Sequence, residues 1–222
     1  MIARVLLGTA EVPGGPPLKL FQRGGDFTIA LERNDLMNSR MSGSEEALGT
    51  MTCQRLPPGD APRLLIGGYG MGFTLRAVLG AIGPMASVVV AELVPTIIEW
   101  ARGPMRTLTA GCLDDPRVEI RFADVAASIG APGPGYDAIL LDVDNGPDGL
   151  TRPGNDGLYS ASGLARAKAA LRPGGTLAVW SAAPDPAFAR RLGQAGFAVD
   201  EVRVRARANG KGPTHVIWFA SV

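Results

Sequence analysis

The 222-residue chain lacks several features that would narrow its function. It has one histidine and two distant cysteines, Cys53 and Cys112, which argues against a histidine-based triad, a metal site and a disulfide framework. No apolar run reaches the ~20 residues that a membrane helix needs. The net charge of +1 supplies no field that would draw the molecule to nucleic acid or to an anionic membrane. We therefore expect a cytoplasmic protein that acts on a small-molecule substrate.

The order of apolar runs and chain breakers predicts two parts. Residues 1–41 hold short strand-forming runs between Pro- and Gly-rich turns, which indicates a small antiparallel β segment. Over residues 42–222, short apolar runs alternate with helical stretches, which predicts a doubly wound α/β domain with a mainly parallel sheet. The last two runs indicate a hairpin that adds an antiparallel strand. Ser42 and Glu45 have the spacing of a capping box, so a helix is predicted to begin near Ser42.

A glycine-rich loop follows the first strand of the α/β part. Its glycines are Gly67, Gly68, Gly70 and Gly72, and glycine in such a turn leaves room for a ligand against the backbone. The last three form G-x-G-x-G, a pattern that resembles the S-adenosylmethionine loop. A dinucleotide fingerprint would need a small residue at position 73, where Phe73 stands. A purely structural turn is the alternative.

Acidic residues stand where the next three strands end. Glu92 can accept hydrogen bonds from both ribose hydroxyls of a nucleoside, although NAD sites use the same device. Asp124 can accept a hydrogen bond from an adenine amino group, or it can cap the following helix. Asp142 ends its strand at the sheet edge where doubly wound folds hold ligands, with strand-end capping as the alternative. We predict Asp142 and nearby Asp144 as the catalytic residues, which orient a nucleophile or accept its proton.

Taken in chain order, these motifs resemble the spermidine synthases. The resemblance also includes Asp115-Pro116-Arg117-Val118 and Leu171-Arg172-Pro173-Gly174-Gly175, and it covers roughly residues 18–182. These enzymes are the polyamine aminopropyltransferase branch of the class I S-adenosylmethionine-dependent methyltransferase superfamily. The resemblance implies a seven-stranded catalytic domain behind a small N-terminal β domain, and a homodimer. It assigns Gly68 and Gly70 to the cofactor, Glu92 to the ribose, Asp124 to the adenine and Asp142 to the amine nucleophile.

The chain departs from this family at the amine end of the site. The family has an aspartate at the loop position of Gly70, and it has Ser-Ser-Asp-Pro where this chain reads Val143-Asp144-Asn145-Gly146. The family also carries a Tyr-His pair where this chain reads Ser42-Gly43-Ser44-Glu45-Glu46. By position, we assign Glu45 and Asn145 to the acceptor substrate. The glycine at position 70 removes a charge that would repel the carboxylate of ordinary S-adenosylmethionine. It also frees backbone amides that can donate hydrogen bonds to this carboxylate.

The changed amine end favours a methyltransferase that uses S-adenosylmethionine. Its substrate would be a small molecule, and a cationic one would suit the site. The alternative is a polyamine aminopropyltransferase that uses decarboxylated S-adenosylmethionine. A third hypothesis is a catalytically silent domain that binds the cofactor and a protein partner.

Overall fold

The computed structural model describes residues 2–32, 34–131, 133–143, 146–147 and 156–222, and of Asp156 the backbone alone. Four strands near the N-terminus form an antiparallel sheet in sequential order. These strands are β1 (Val5–Ala10), β2 (Leu18–Arg23), β3 (Asp26–Leu31) and β4 (Asn34–Asn38).

A second sheet of seven strands has the order β10-β11-β9-β8-β5-β6-β7. Its strands are β5 (Arg63–Gly67), β6 (Ser87–Glu92), β7 (Val118–Phe122), β8 (Tyr136–Leu141), β9 (Leu171–Ser181), β10 (Ala198–Arg205) and β11 (Thr214–Ser221). Strand β11 pairs antiparallel with both of its neighbours, and every other pairing in this sheet is parallel. The predicted fold class is therefore confirmed, including the small N-terminal antiparallel sheet and the closing hairpin.

The described part of the chain contains eight α-helices. They are α1 (Gly43–Cys53), α2 (Phe73–Ala81), α3 (Pro95–Arg102), α4 (Arg106–Thr109), α5 (Val125–Gly130), α6 (Asp156–Tyr159), α7 (Ala161–Ala170) and α8 (Pro186–Gln194). Among the described residues, no helix is long and apolar enough to cross a membrane. Helix α1 begins one residue after Ser42, but the predicted capping box is wrong. Ser42 makes no side-chain cap hydrogen bond, and Glu45 is engaged elsewhere.

The inner strands β5, β6, β8 and β11 of the seven-stranded sheet are buried on both faces, which explains their uninterrupted apolar runs, whereas the edge strands β7 and β10 are partly exposed. Successive side chains of a strand point to opposite faces. Leu64 and Ile66 of β5 therefore pack in the same cluster as Leu20 and Ile29 of the N-terminal sheet, while Leu65 packs on the other face. The shared cluster shows that the N-terminal sheet packs on the same side of the larger sheet as Leu64 and Ile66.

Candidate active site

The glycine loop joins β5 to α2 in a conformation that only glycine adopts easily. Gly68, Gly70 and Gly72 have φ angles of 84°, 55° and 80°, in the left-handed region that penalises a Cβ atom. A Cβ at Gly68 would lie 2.6 Å from the carbonyl oxygen of Asp142. A Cβ at Gly72 would lie 2.6 Å from the hydroxyl of Tyr69. The loop sequence is thus required by the backbone, whatever ligand it holds.

A cleft runs along this loop at the carboxyl edge of the parallel strands. Five of the residues predicted for the site line it, namely Gly68, Gly70, Glu92, Asp124 and Asp142. Its apolar wall comes partly from the N-terminal sheet and its loops, and includes Val12, Leu18, Leu31, Leu36, Met37, Leu93 and Ile97. Gly67 and Gly72, which were also predicted for the cofactor, are not among the residues that line this cleft, and a Cβ at Gly67 would lie 2.8 Å from a methyl of Val125.

Glu92 ties the glycine loop to the end of β6. Its Oε2 accepts a hydrogen bond from the backbone N–H of Tyr69 at 2.9 Å, and its Oε1 accepts one from Val94 at 2.8 Å. Burial raises the pKa of Glu92, against the opposing effect of backbone N–H groups that include that of Gly70. A carboxylate oxygen has two lone pairs. Each oxygen can therefore hold the loop and still accept a hydrogen bond from a ligand in the cleft.

Asp124 fulfils one of its two predicted roles outright. It is the N-cap of α5, where its Oδ1 accepts a hydrogen bond from Ala126 N at 2.8 Å. The same residue lines the cleft beyond β7. The cap role and the predicted adenine role are therefore compatible.

A smaller pocket continues from the cleft, and Asp142 lines both. Glu45, from α1, lines the smaller pocket, so the structure brings together two acids that are 97 positions apart in the sequence. Thr74 donates a hydrogen bond of 2.6 Å to Oδ2 of Asp142. Burial raises the pKa of both carboxyl groups, and the charge of Asp142 raises that of Glu45 further. At neutral pH this pair retains protons more readily than two exposed carboxyl groups would.

Three residues around this acidic pair were missed by the sequence analysis. Ser44 is fully buried, and its Oγ lies 2.6 Å from Oε2 of Glu45 and 2.9 Å from Nδ1 of His215. Trp180 lines the small pocket and meets the His215 ring edge-on at a centroid distance of 4.8 Å. Trp180 stands near the end of β9, so the strand-end rule used for Asp142 could have found it.

His215 could have been found by the same rule, applied in reverse. Strand β11 is antiparallel to β9, and Val216 pairs with Ser181 at the carboxyl end of β9. The first residues of an antiparallel strand therefore lie at the edge where the parallel strands end. The sequence alone argues only against a histidine-based triad or a His-rich metal site, and it assigns the single histidine no other role.

Met37 occupies space beside Gly70. A Cβ at Gly70 would lie 3.1 Å from the Met37 sulfur. The position that carries an aspartate in the spermidine synthases is therefore covered by an apolar side chain from β4. Two other predicted residues, Asp144 and Asn145, lie outside the described part of the chain.

The charge of the combined site is of one sign. The carboxylates of Glu45, Glu92, Asp124 and Asp142 line the cleft and the small pocket. Among the described residues that line them, none is a lysine, an arginine or a histidine. Charge complementarity therefore favours a ligand with positive charge near the acidic pair.

Comparisons with known proteins agree with the motifs. The chain is 34% identical over 159 residues to the polyamine aminopropyltransferase of Mycobacterium tuberculosis, a match that covers 68% of this chain and 29% of that protein. No protein-family model matches the chain. The chain thus spans less than a third of the length of this relative.

Two solved structures show the same fold. The spermidine synthase from Thermotoga maritima superposes with a TM-score of 0.76 at 21% identity, over 97% of this chain and 72% of that one. Human methyltransferase-like protein 13, in complex with SAH, superposes with a TM-score of 0.58 at 22% identity, over 82% of this chain and 80% of that one. At these identities the likeness concerns the fold alone. The comparison by sequence therefore favours the aminopropyltransferase alternative, and it gives the expected methyltransferase activity no support.

Proposed function

Since the chain belongs to the spermidine synthase-like branch of the class I S-adenosylmethionine-dependent methyltransferase superfamily, we propose that it is a polyamine aminopropyltransferase. The donor substrate is decarboxylated S-adenosylmethionine, and the acceptor is a small aliphatic amine. The observation that carries this proposal is the acidic lining of the site, with no basic side chain among the described lining residues.

The cleft beside the glycine loop fits the nucleoside end of the donor. Gly68 and Gly70 leave the backbone open to the ligand, and Glu92 has lone pairs available for the ribose hydroxyls. Asp124, at the end of β7, is placed to accept a hydrogen bond from the adenine amino group. The apolar wall from the N-terminal sheet would cover the rings and keep water from the sulfonium.

The decarboxylated donor is favoured because it has no carboxylate of its own. Ordinary S-adenosylmethionine would bring a carboxylate into a site lined by four acidic residues, and those that are ionised repel it strongly where water is scarce. One of the loop amides that we expected to receive this carboxylate is engaged, since that of Tyr69 hydrogen-bonds to Glu92. The case for the ordinary cofactor at Gly70 is therefore weaker than the sequence alone indicated.

The small pocket fits the acceptor. An alkylammonium ion would lie between Glu45 and Asp142, and it must lose one proton to a carboxylate before its nitrogen can attack. The nitrogen then forms a bond to the first aminopropyl carbon, which the sulfonium of the bound donor activates. The carbon–sulfur bond breaks, its electron pair stays on sulfur, and methylthioadenosine leaves. Thr74 orients Asp142 for this role through its hydrogen bond of 2.6 Å.

Identification of the sulfur product tests the proposal. The purified protein is incubated with putrescine and either donor, with a reaction without protein as the control, and the products are read by mass spectrometry. We expect methylthioadenosine from the decarboxylated donor. S-adenosylhomocysteine from the ordinary donor would favour the methyltransferase hypothesis. No product from either donor, together with binding of the donor, would favour the silent domain.

A further inference from the structure

A chain of hydrogen bonds leads from the acidic pair to the only histidine of the protein. Oε2 of Glu45 lies 2.6 Å from Oγ of Ser44, and this hydroxyl lies 2.9 Å from Nδ1 of His215. Ser44 has no exposed surface, whereas the imidazole of His215 is only partly buried. The chain therefore begins at the acceptor pocket and ends at a group that water can reach.

The stoichiometry of protons in this chain allows two arrangements. A serine hydroxyl has one proton to donate, and Ser44 lies between two groups that can both accept. If Ser44 donates to Glu45, then Nδ1 of His215 must carry a proton and donate it to Ser44. If Ser44 donates to His215, then Glu45 must be protonated and donate to Ser44. A change from the first arrangement to the second moves one proton from His215 to Glu45, and the reverse change moves one proton outward.

We propose that His215, through Ser44, carries away the proton that the acceptor amine loses at the acidic pair. The inference rests on the proposed function, because it assumes an ammonium acceptor at Glu45 and Asp142. The amine proton passes to a carboxylate of the pair. Glu45 then donates a proton to Ser44 while Ser44 donates its own to Nδ1 of His215, and the imidazolium releases its Nε2 proton to water. His215 is a relay residue that acts on the substrate only through Glu45.

The surroundings of His215 suit this role. Burial lowers the pKa of His215, so near neutral pH the imidazole is uncharged and one ring nitrogen can accept a proton. On α1, the charged groups facing this corner are Glu45 and its neighbour Glu46, with Asp142 behind Glu45 at the end of β8. Strand β9 contributes the uncharged ring of Trp180.

The remaining neighbour, β10, brings one charge to the His215 side of the sheet, that of Asp200, which lies four residues along the strand from Val204 and forms a salt bridge with Arg55. Val204 pairs directly with His215. Arg203 and Arg205 flank Val204 along the strand and are exposed, so their side chains point to the opposite face. Ser44 connects the imidazole directly to the carboxyl group of Glu45, so the variants Ser44→Ala and Glu45→Gln isolate this path from the charge of Asp200.

The single histidine makes a direct test by NMR practical. The ring signals of His215 in the labelled full chain are titrated with pH, for wild type, Ser44→Ala and Glu45→Gln. Thr52→Val is the matched control, because Thr52 is another buried hydroxyl of α1 and bonds only to the carbonyl of Leu48. We expect two inflections in wild type and Thr52→Val, and a single inflection in Ser44→Ala and Glu45→Gln. An identical curve in wild type and Ser44→Ala would overturn the relay.

Kinetics separate the relay from the proposed function. With decarboxylated donor and putrescine, His215→Gln should lower kcat by roughly tenfold to a hundredfold, a modest part of the usual general acid–base effect, with KM nearly unchanged. Added imidazole should restore part of the rate of His215→Ala. A wild-type protein without turnover sinks the aminopropyltransferase proposal and leaves the NMR result standing. Turnover in which His215→Gln keeps the wild-type pH–rate profile sinks the relay alone.

Discussion

The two halves of the site are held in different ways. The nucleoside half consists of Gly68, Gly70, Glu92 and Asp124, and the acidic half consists of Ser44, Glu45, Asp142 and His215. In the nucleoside half, Glu92 and Asp124 accept hydrogen bonds from backbone N–H groups that lie close to the ends of their own strands or in the glycine loop. In the acidic half, side chains from α1, α2, β11 and the end of β8 hold one another. A single substitution should therefore disturb only nearby backbone contacts in the nucleoside half, whereas in the acidic half it should disturb several side chains together.

The largest expected effect is that of Asp142→Asn on turnover. The amide keeps the size of the side chain and can still accept from Thr74, but it cannot take a proton from the amine. We expect kcat to fall by about 10²–10⁴-fold, while calorimetry shows donor affinity nearly unchanged. Asp114→Asn, at an exposed position outside the site, is the control. A parallel loss of donor affinity would place Asp142 functionally in the nucleoside half.

Glu92→Ala should have the next largest effect, on the nucleoside half. Loss of the charged hydrogen bonds to the ribose costs of order 1.5–3 kcal/mol, or roughly tenfold to a hundredfold in donor affinity. The Tm should fall too, because the N–H groups of Tyr69 and Val94 lose their acceptor. Glu92→Gln should rescue neither property, since its NH2 group would face N–H donors. Glu99→Ala, on the exposed side of α3, serves as the comparison, and equal donor affinity in the two alanine variants would remove Glu92 from the site.

The smallest of these effects concerns stability and pH in the acidic half. The pKa of Glu45 is higher in the folded chain than its ordinary value. At pH values between the two, the folded state therefore binds more protons than the unfolded state. The stabilisation that Glu45 contributes is then complete below the ordinary carboxyl pKa, and it is lost as the pH rises toward and through the raised pKa of the folded chain. Between about pH 5 and about pH 8, the Tm of wild type should decrease, and Glu45→Gln should flatten that decrease. A slope that Glu45→Gln leaves unchanged would show that the pKa of Glu45 is not raised in the folded chain.

The sequence predicted the nucleoside half because its residues lie at the ends of consecutive strands. Gly68, Glu92 and Asp124 follow β5, β6 and β7, whose parallel pairing brings their carboxyl ends to one edge. The role of Glu92 in holding the loop was not predictable. It depends on the direction of backbone N–H groups after Gly68, which a sequence pattern does not contain.

The acidic half was predicted only in part, because it is assembled from distant elements. Asp142 was found from its strand end and Glu45 from the family position, but nothing local connects Ser44 to His215. Their contact depends on β11 being inserted antiparallel beside β9 and on the start of α1 meeting the end of β10, where Gly43 N donates to Ala206 O. The same absence of local signals hid Met37, whose position beside Gly70 depends on how the N-terminal sheet packs.

The preference between the two donors is the most direct test of the proposed aminopropyl transfer. Calorimetry with the wild-type chain measures the affinities for decarboxylated and for ordinary S-adenosylmethionine under the same conditions. Because both donors carry an ammonium and only the ordinary form brings an additional carboxylate, which the acidic lining repels, we predict at least about tenfold tighter binding of the decarboxylated form, or ~1.4 kcal/mol. Equal affinities, or a preference for the ordinary form, would contradict the proposed aminopropyl transfer.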